Sequence, residues 1–543
     1  MKRILALALC LLMAASVIPT YAQEQELTPI SILCHAEVEP WLTAEYANFE
    51  VGKLFDQILA ERLGLRIEIE GIENNSFVDV VNSRVAAGVD LPDIISSGWD
   101  TFDAINWAKN GMLLAVSDLI EQYDEDGSIL AYYNSRCPGA VGATTAPDGK
   151  MYWFSYLSGR QFYDPETDEI IPFTDPRTMS IRVDWLEKIG AEYKYTYTPA
   201  ELHDILAAFQ AQDVNGNGMK DEVINVPINE FYNGIAQGFD LSGQLLCGYG
   251  PENKVYSNFY HENFPAYIEY MQQLYKEDLI DTATLTDTST FDNAIQTENR
   301  ASINFGYAWY EGFEKNCSDP DALYLPTWID LDGLENGFHA LDDPRVNTYC
   351  QYMVPSSTKH PEEVLRLFDF VYTDEYAALA TYGIENVGYT VSDSGVYIPA
   401  VIPGDADTYD PRYGLAWTNF SIMALPNMRT LPEYKVLKPD NVTELTKLKK
   451  EAFYDWNYNL LPYANIECVF DQIAIETDEE AETIGQIEEQ LNTYAEELLV
   501  DLILGRRSLD DMETYLGELE KLGLQEYMSI KQARRDRYVA NSK

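Results

Sequence analysis

The chain has 543 residues, 46% of them hydrophobic, and 89 acidic against 37 basic side chains give a formal net charge of −52. A field of that sign repels nucleic acid, anionic lipid and polyanionic sugars as bulk partners, leaving neutral or cationic ligands and metal cations. The apolar fraction suffices for packed cores, so the acidity belongs to the surface, and the length implies two or more domains.

In chain order, Met1-Lys2-Arg3, an apolar run over residues 4–18 and Thr20-Tyr21-Ala22 form a secretory signal, residues 1–22, cleaved after Ala22. An exported protein is expected, extracellular or in the cell envelope, and periplasmic in a Gram-negative cell. Leu7-Ala8-Leu9-Cys10 is a poor lipidation site because Leu9 is bulky directly before the cysteine, so no lipid anchor is expected. Residues 29–34 (PISILC), 65–72 (LRIEIEGI) and 91–95 (LPDII) read as strands, separated by helices over 49–63 and 76–87. That order predicts parallel pairing with helical crossovers, an α/β arrangement. Residues 179–183 form a strand running into a helix at Asp184-Trp185-Leu186, with Trp185 in a core, and residues 302–305 and 351–354 are further strands. The last ~70 residues read as helix, with Ser508 and Asp511 spaced as a capping box. Beyond the signal lie Cys34, Cys137, Cys247, Cys317, Cys350 and Cys468, none in a CxxC pair. Disulfides and buried free thiols both remain open.

One segment departs from ordinary globular sequence. Thr198-Pro199-Ala200-Glu201 starts a helix with a cap, a first-turn proline and a glutamate three residues on, and Asp213-Val-Asn-Gly-Asn-Gly-Met-Lys-Asp-Glu222 falls at its exit. Asp213, Asn215 and Asn217 offer side-chain oxygens at positions one, three and five of a calcium loop. Gly218 stands at the sharp turn, Met219 would give its carbonyl, and Asp221 stands at nine. Ile224 replaces the bidentate glutamate of position twelve, with Glu222 the nearby substitute. Two Asn-Gly pairs in succession also make a polar turn without any ion.

"MSIRVDWLEKIGAEYKYTYTPAELHDILAAFQAQDVNGNGMKDEVINVP" resembles the central signature of bacterial extracellular solute-binding proteins of the oligosaccharide group. "LPDIISSGWDTFDAINWAKNGMLLAVSDLI", "PDGKMYWFSY", "KHPEEVLRLFDFVYTDEYAALATYGIENVGYT" and "YLGELEKLGLQEYMSIKQARRDRY" are similar to other blocks of that family, in the same order. The resemblance implies a two-lobed periplasmic-binding-protein fold, type II and maltose-binding-protein-like, with a three-segment hinge and a helical C-terminus. The first lobe would comprise residues 28–158 and 335–390, and the second residues 175–328, with the loop 213–222, and 395–543. Crossings are expected near 154–179, 327–339 and 388–395. In the alginate binders of the family a similar loop holds calcium, with a glutamate directly after the last aspartate as at Glu222, so a structural Ca2+ on Asp213, Asn215, Asn217, Met219, Asp221 and Glu222 is expected. The sequence departs from the family in lacking the lipobox cysteine and in carrying Asn386 where glycine is commoner.

The implied function is the substrate-binding component of an ABC importer, monomeric, with permease subunits as partners and an oligosaccharide as ligand. Sugar sites combine aromatic platforms with carboxylates and amides. Trp309, with Tyr310 beside it, maps onto a stacking position of maltose-binding-like proteins. Trp99 and Asp100 lie at the carboxyl end of a predicted strand, where open α/β sheets place ligands. Trp153 and Tyr156 are expected to face the cleft from the first crossing, and Glu385 is a candidate carboxylate. For each of these aromatics the plainer reading is core packing or a lone surface ring. Arg160 or Arg182 would allow an acidic sugar, and an oligopeptide or other small solute would fit the same fold. HExxH, GxSxG and phosphate-loop motifs are absent and the five histidines show no metal-ligand spacing, so no enzyme is expected. A secreted glycoside hydrolase with paired carboxylates is the alternative. A calcium-dependent adhesion module would need the loop duplicated, and one copy is present.

Overall fold

The computed structural model describes residues 27–35, 50–98, 100, 102–157, 161–164, 167–172, 177–225, 235–242, 244–250, 253–281, 283, 294, 297–307, 312–331, 348–393, 395–399, 425–426, 431, 433–434, 444–460 and 473–542. The signal segment, the lipidation candidate, Trp99, Arg160, Trp309, Tyr310 and Cys468 lie outside them. Among the described residues no helix is long and apolar enough to cross a membrane.

The strands of the two main sheets are β1 (Thr28–His35), β2 (Leu65–Ile72), β3 (Ile94–Ser96), β4 (Trp153–Leu157), β5 (Arg177–Arg182), β6 (Thr196–Tyr197), β7 (Val223–Ile224), β8 (Ala301–Tyr307), β9 (Tyr324–Ile329) and β10 (Thr348–Met353). The helices used below are α1 (Asn74–Ala87), α2 (Pro199–Gln212), α3 (Phe264–Lys276), α4 (Pro361–Val371), α5 (Glu444–Leu460), α6 (Asp478–Ile503) and α7 (Leu524–Asn541).

The first sheet has the order β2-β1-β3-β10-β4. β1 pairs in parallel with β2 and with β3, as the strand–helix alternation predicts. Period-two alternation explains what each face buries: Ile30, Ile32 and Cys34 point into the main core of this lobe, and Leu33 points to the other face with Phe77, Val81 and Val85 of α1. β2 is an edge strand, and Arg66, Glu68 and Glu70 alternate with the core-facing Ile67 and Ile69. α4 closes the main core, with Phe368 stacked on Phe154 at 4.0 Å.

The second sheet has the order β6-β9-β5-β8-β7. Met179, Ile181, Ile303 and Phe305 form one core with α2, α3 and α6. Trp185 is fully buried there, edge-on to Phe209 at 5.5 Å, the core position its sequence context suggests. The C-terminal stretch is helical: α6 opens on a Thr477/Glu480 capping box and buries Leu491, Leu498 and Leu502 in this core. Ser508 differs from expectation. Its hydroxyl accepts from Asp510 N–H and caps a short 3-10 turn, because the chain tightens there before it becomes α-helical.

Each sheet contains one strand antiparallel to its neighbours, β10 in the first and β5 in the second. Each is the first strand the chain adds after passing between sheets, from β4 to β5 and from β9 to β10. The passing segments also meet each other. Glu433–Tyr434 pairs in parallel with Gln161–Asp164, which pairs with Glu169–Pro172 in a separate small sheet. Leu425 and Leu431 pack in the first-lobe core, and Tyr389 and Tyr397 pack against it, so that core continues past residues 388–395. α5 then lies on the second lobe, Trp456 against Trp328 at 6.1 Å. α7 touches both lobes: Gln532 bonds Val255 N–H, and Tyr538 lies in a small cluster with Ala143 of the first lobe.

Candidate functional site

Strand direction defines the edges where a ligand can sit. β1, β2, β3 and β4 present their carboxyl ends along one edge of the first sheet, and β6, β7, β8 and β9 along one edge of the second. Ligands of open α/β sheets bind beyond such edges.

On the first lobe, β3 ends at Ser96 and the chain turns through Ser97 to Asp100. This turn is anchored to β10. Ser97 Oγ accepts from Gln351 N–H at 2.8 Å, Gln351 Oε1 accepts from Phe102 N–H at 2.9 Å, and Asp100 N–H donates to Ser97 O at 3.1 Å. The Asp100 side chain is 35% exposed, and its Oδ2 lies 2.8 Å from Nε2 of buried His35, the last residue of β1. Trp153 opens β4 in register with Met353, level with Ile95, and packs half-buried against the Phe77 and Phe102 cluster. Tyr156 is 6% exposed and packed in the first-lobe core. Glu385 is exposed, in the turn before Tyr389. Asn386 next to it has φ +64° and donates its N–H to Tyr389 O at 2.7 Å, a left-handed position that explains the family's preference for glycine.

On the second lobe, β8 ends directly before residues 308–310, and Asn225 follows β7. Asn225 and Asn304 are fully buried, with their amides 3.5 Å apart, and Ser180 stands opposite Asn304 in the β5–β8 register. Asn304 Nδ2 and Ser180 Oγ have no hydrogen-bond partner among the described residues. Sequence reading passed over this polar group; its signal is an asparagine inside the apolar strand ASINFGY. Arg182 is corrected. It is fully buried, its guanidinium donates to Asp184 and to Asn299 and stacks over Trp185 at 4.2 Å, and none of it is offered to a ligand. Burial inside a ring of acceptors holds it as a structural ion. Cys34, Cys137, Cys247, Cys317 and Cys350 are free thiols, which resolves the cysteine question for the described residues.

The oxygen-rich loop begins where α2 ends. The Thr198/Glu201 capping box forms in full, and Asp213, at φ +48°, turns the chain out of the helix. Asp213 carboxylate oxygens accept from Gly218 N–H at 3.0 and 3.2 Å, Asn215 Oδ1 from Asn217 N–H at 3.1 Å, and Asn217 Oδ1 from Met219 N–H at 2.7 Å. Both asparagine amides donate to Asp221. Gly216 and Gly218 take positive φ values, which lets the backbone fold back on itself. Glu222 is fully buried; Oε1 accepts from Asn215 N–H at 3.2 Å and Oε2 has no partner among the described residues. Burial pushes its carboxyl above the ordinary value, and the neighbouring Asp221 charge acts in the same direction. Among the described residues no three His, Cys, Asp or Glu side chains converge as a metal cluster. The loop's oxygens are turned instead toward its own N–H groups.

A family model of bacterial extracellular solute-binding proteins matches residues 46–378. The chain belongs to that family. It is 25% identical over 523 residues to the fructooligosaccharide ABC transporter substrate-binding protein FusA of Streptococcus pneumoniae, covering 90% of this solute-binding protein and 88% of FusA. The structure of FusA with kestose superposes with a TM-score of 0.60 at 20% identity, over 95% of this chain and 100% of that one. An EF-hand mutant of FusA in complex with fructo-nystose also gives 0.60, at 19% identity and the same coverage. An HMO-binding, ABC-transporter-associated solute-binding protein of Bifidobacterium longum infantis gives 0.65 at 17% identity, over 94% and 99%. An alginate-binding protein solved without calcium ion gives 0.60 at 20% identity, over 95% and 99%. These likenesses establish the two-lobed α/β fold.

Proposed function

We propose that this solute-binding protein is the substrate-binding component of an ABC importer, exported and monomeric, which takes an oligosaccharide between its lobes and delivers it to a membrane permease. The observation that carries the reading is the end-to-end similarity to a fructooligosaccharide-binding transporter component, over 90% of the chain. Two sheets joined by passing segments, each with strand carboxyl ends along one edge, suit a hinged capture of solute. Asp100 and Trp99 would contribute from the first lobe and Trp309 and Tyr310 from the second, with Glu385 at the rim. Trp153 and Tyr156 would support the first-lobe wall from within its packing.

A structural calcium ion is part of the proposal. Asp213, Asn215, Asn217, the Met219 carbonyl, Asp221 and Glu222 form a hard-oxygen set of the kind calcium takes, and the partnerless buried Oε2 of Glu222 is the feature a cation would satisfy. Names of the relatives, an EF-hand mutant and a protein without calcium ion, point the same way. Bound there, the ion would supply charge neutralisation to the loop and no chemistry to the ligand.

A thermal-shift screen against neutral and acidic oligosaccharides and oligopeptides tests the reading, because a ligand stabilises the folded state in proportion to the logarithm of its saturation. Oligosaccharide hits recovered unchanged after incubation are expected, and Trp309→Ala should weaken the best of them at least ~30-fold, about 2 kcal/mol for a lost aromatic platform. Cleaved sugar would instead identify a hydrolase, and stabilisation by peptides alone would remove the sugar assignment.

A further inference from the structure

His35 closes β1 at the ligand-facing edge of the first sheet, yet it is buried, and both of its ring nitrogens are in contact with oxygen. Nδ1 lies 3.1 Å from Asn74 Oδ1, on the first residue of α1, and Nε2 lies 2.8 Å from Asp100 Oδ2, off the line of the ring's own hydrogen-bonding direction. Phe77 backs the ring at 4.0 Å between centroids, fixing its plane. The ring is thus held on one side by Asn74 and lies with its other nitrogen against the Asp100 carboxylate. The imidazole and the Asp100 carboxylate therefore form a close pair at 2.8 Å.

We propose that His35 is a positioning residue for ligand capture: it pins Oδ2 of Asp100, so that Oδ1 stays directed outward as the fixed acceptor for a sugar hydroxyl. The inference rests on the oligosaccharide reading above and deepens it. Asp100 is already tied through its backbone to Ser97, and the turn is tied to Gln351 of β10, so the imidazole removes the remaining freedom of the side chain. An acceptor held before binding loses no rotamer freedom on binding. The pair joins β1, α1 and the turn after β3. The site therefore reads out the alignment of three elements of the first lobe.

The experiment uses the full mature chain and the best oligosaccharide from the screen. His35→Leu should weaken binding about tenfold or more. His35→Gln, whose amide N–H can reach Asp100, should stay within about threefold of the parent, although both variants disturb the packing on Phe77 alike. A loss that instead follows the melting temperatures of the two variants, equal in both, overturns the proposal. Should His35→Leu fail to fold, Asp100→Asn at the partly exposed end of the pair provides the second measurement; it should lose as much affinity, and parent-like affinity there overturns the proposal. Imidazole NMR separates this inference from the functional reading: of the five histidines, only His35 should shift in Asp100→Asn, and an unmoved His35 overturns the pair. A parent that binds no oligosaccharide overturns the functional reading and the ligand role of His35 with it, while the imidazole spectrum still decides whether the pair exists.

Discussion

Glu222→Gln should have opposite effects on stability with and without calcium. Without a cation the buried carboxylate keeps one oxygen unpartnered among the described residues, and burial raises its folded-state pKa above the unfolded value. A carboxyl shifted in that direction binds more protons folded than unfolded, so its contribution to stability is present below the unfolded pKa and is lost as pH rises through the folded one. At neutral pH the anion is thus a cost, on the order of 1–3 kcal/mol for a buried unsatisfied polar group. The neutral amide removes the charge. At ~2–4 °C per kcal/mol for a unit of 150–250 residues, Glu222→Gln should raise the melting temperature in chelator by about 2 °C or more. With calcium at about 100 times its Kd the parent gains about 2.7 kcal/mol, and the variant should gain much less. Differential scanning calorimetry in chelator and in calcium measures both. A variant less stable than the parent in chelator, or equally responsive to calcium, refutes the reasoning.

Two further outcomes follow from packing. A Cβ at Gly238 would lie 2.6 Å from both Cβ and the carbonyl oxygen of Ile329, at the carboxyl end of β9, so Gly238→Ala must displace backbone and should cost about 1–3 kcal/mol in thermal unfolding; an unchanged melting curve would show that this approach is absent. Burial pushes the Cys34 and Cys247 thiols up to about 12, so near pH 8 a thiol reagent should leave both untouched in the native protein and titrate them in denaturant, and rapid native labelling of either would contradict their burial.

What could be read from sequence was what local periodicity and spacing encode. The alternation in β1 and β2 and the helix between β1 and β3 led to a parallel sheet, and Thr198 with Glu201 led to a cap that forms as drawn. Insertion of β10 between β3 and β4 left no local trace, because it joins residues roughly 190 to 260 positions apart whose only relation is register. The continuation of the first-lobe core to Leu431 was hidden for a similar reason: Tyr382, Tyr389 and Tyr397 pack ring on ring, a contact with no period to betray it. Tyr156 shows the limit for single aromatics. Its place at the expected first crossing suggests a ring facing the cleft, with core packing the plainer reading, and on β4, paired with β10, it packs in the core. His35 and Asp100 are 65 positions apart and neither stands in a motif; only the parallel β1–β3 pairing brings them together.

The loop's place in the sheet bears on what a cation there can influence. Glu222 leads directly into β7, a strand of two residues at the sheet edge, the kind of element that ladder bonds alone hold weakly. Its neighbours compensate. Gln210 of α2 donates to the carbonyls of Glu222 and Asp278, Ile224 bridges to Ile280, and Arg300 at the start of β8 binds Asp281. Asp213, at the other end of the loop, is the C-cap of α2. A cation shared by Asp213 and Glu222 would therefore fasten the exit of α2 to the entry of β7. Asn225, buried against Asn304, lies three residues beyond Glu222, so the same fastening fixes the backbone from which the second lobe's polar group projects. The metal would act on the stability of this edge first and reach the ligand only through it.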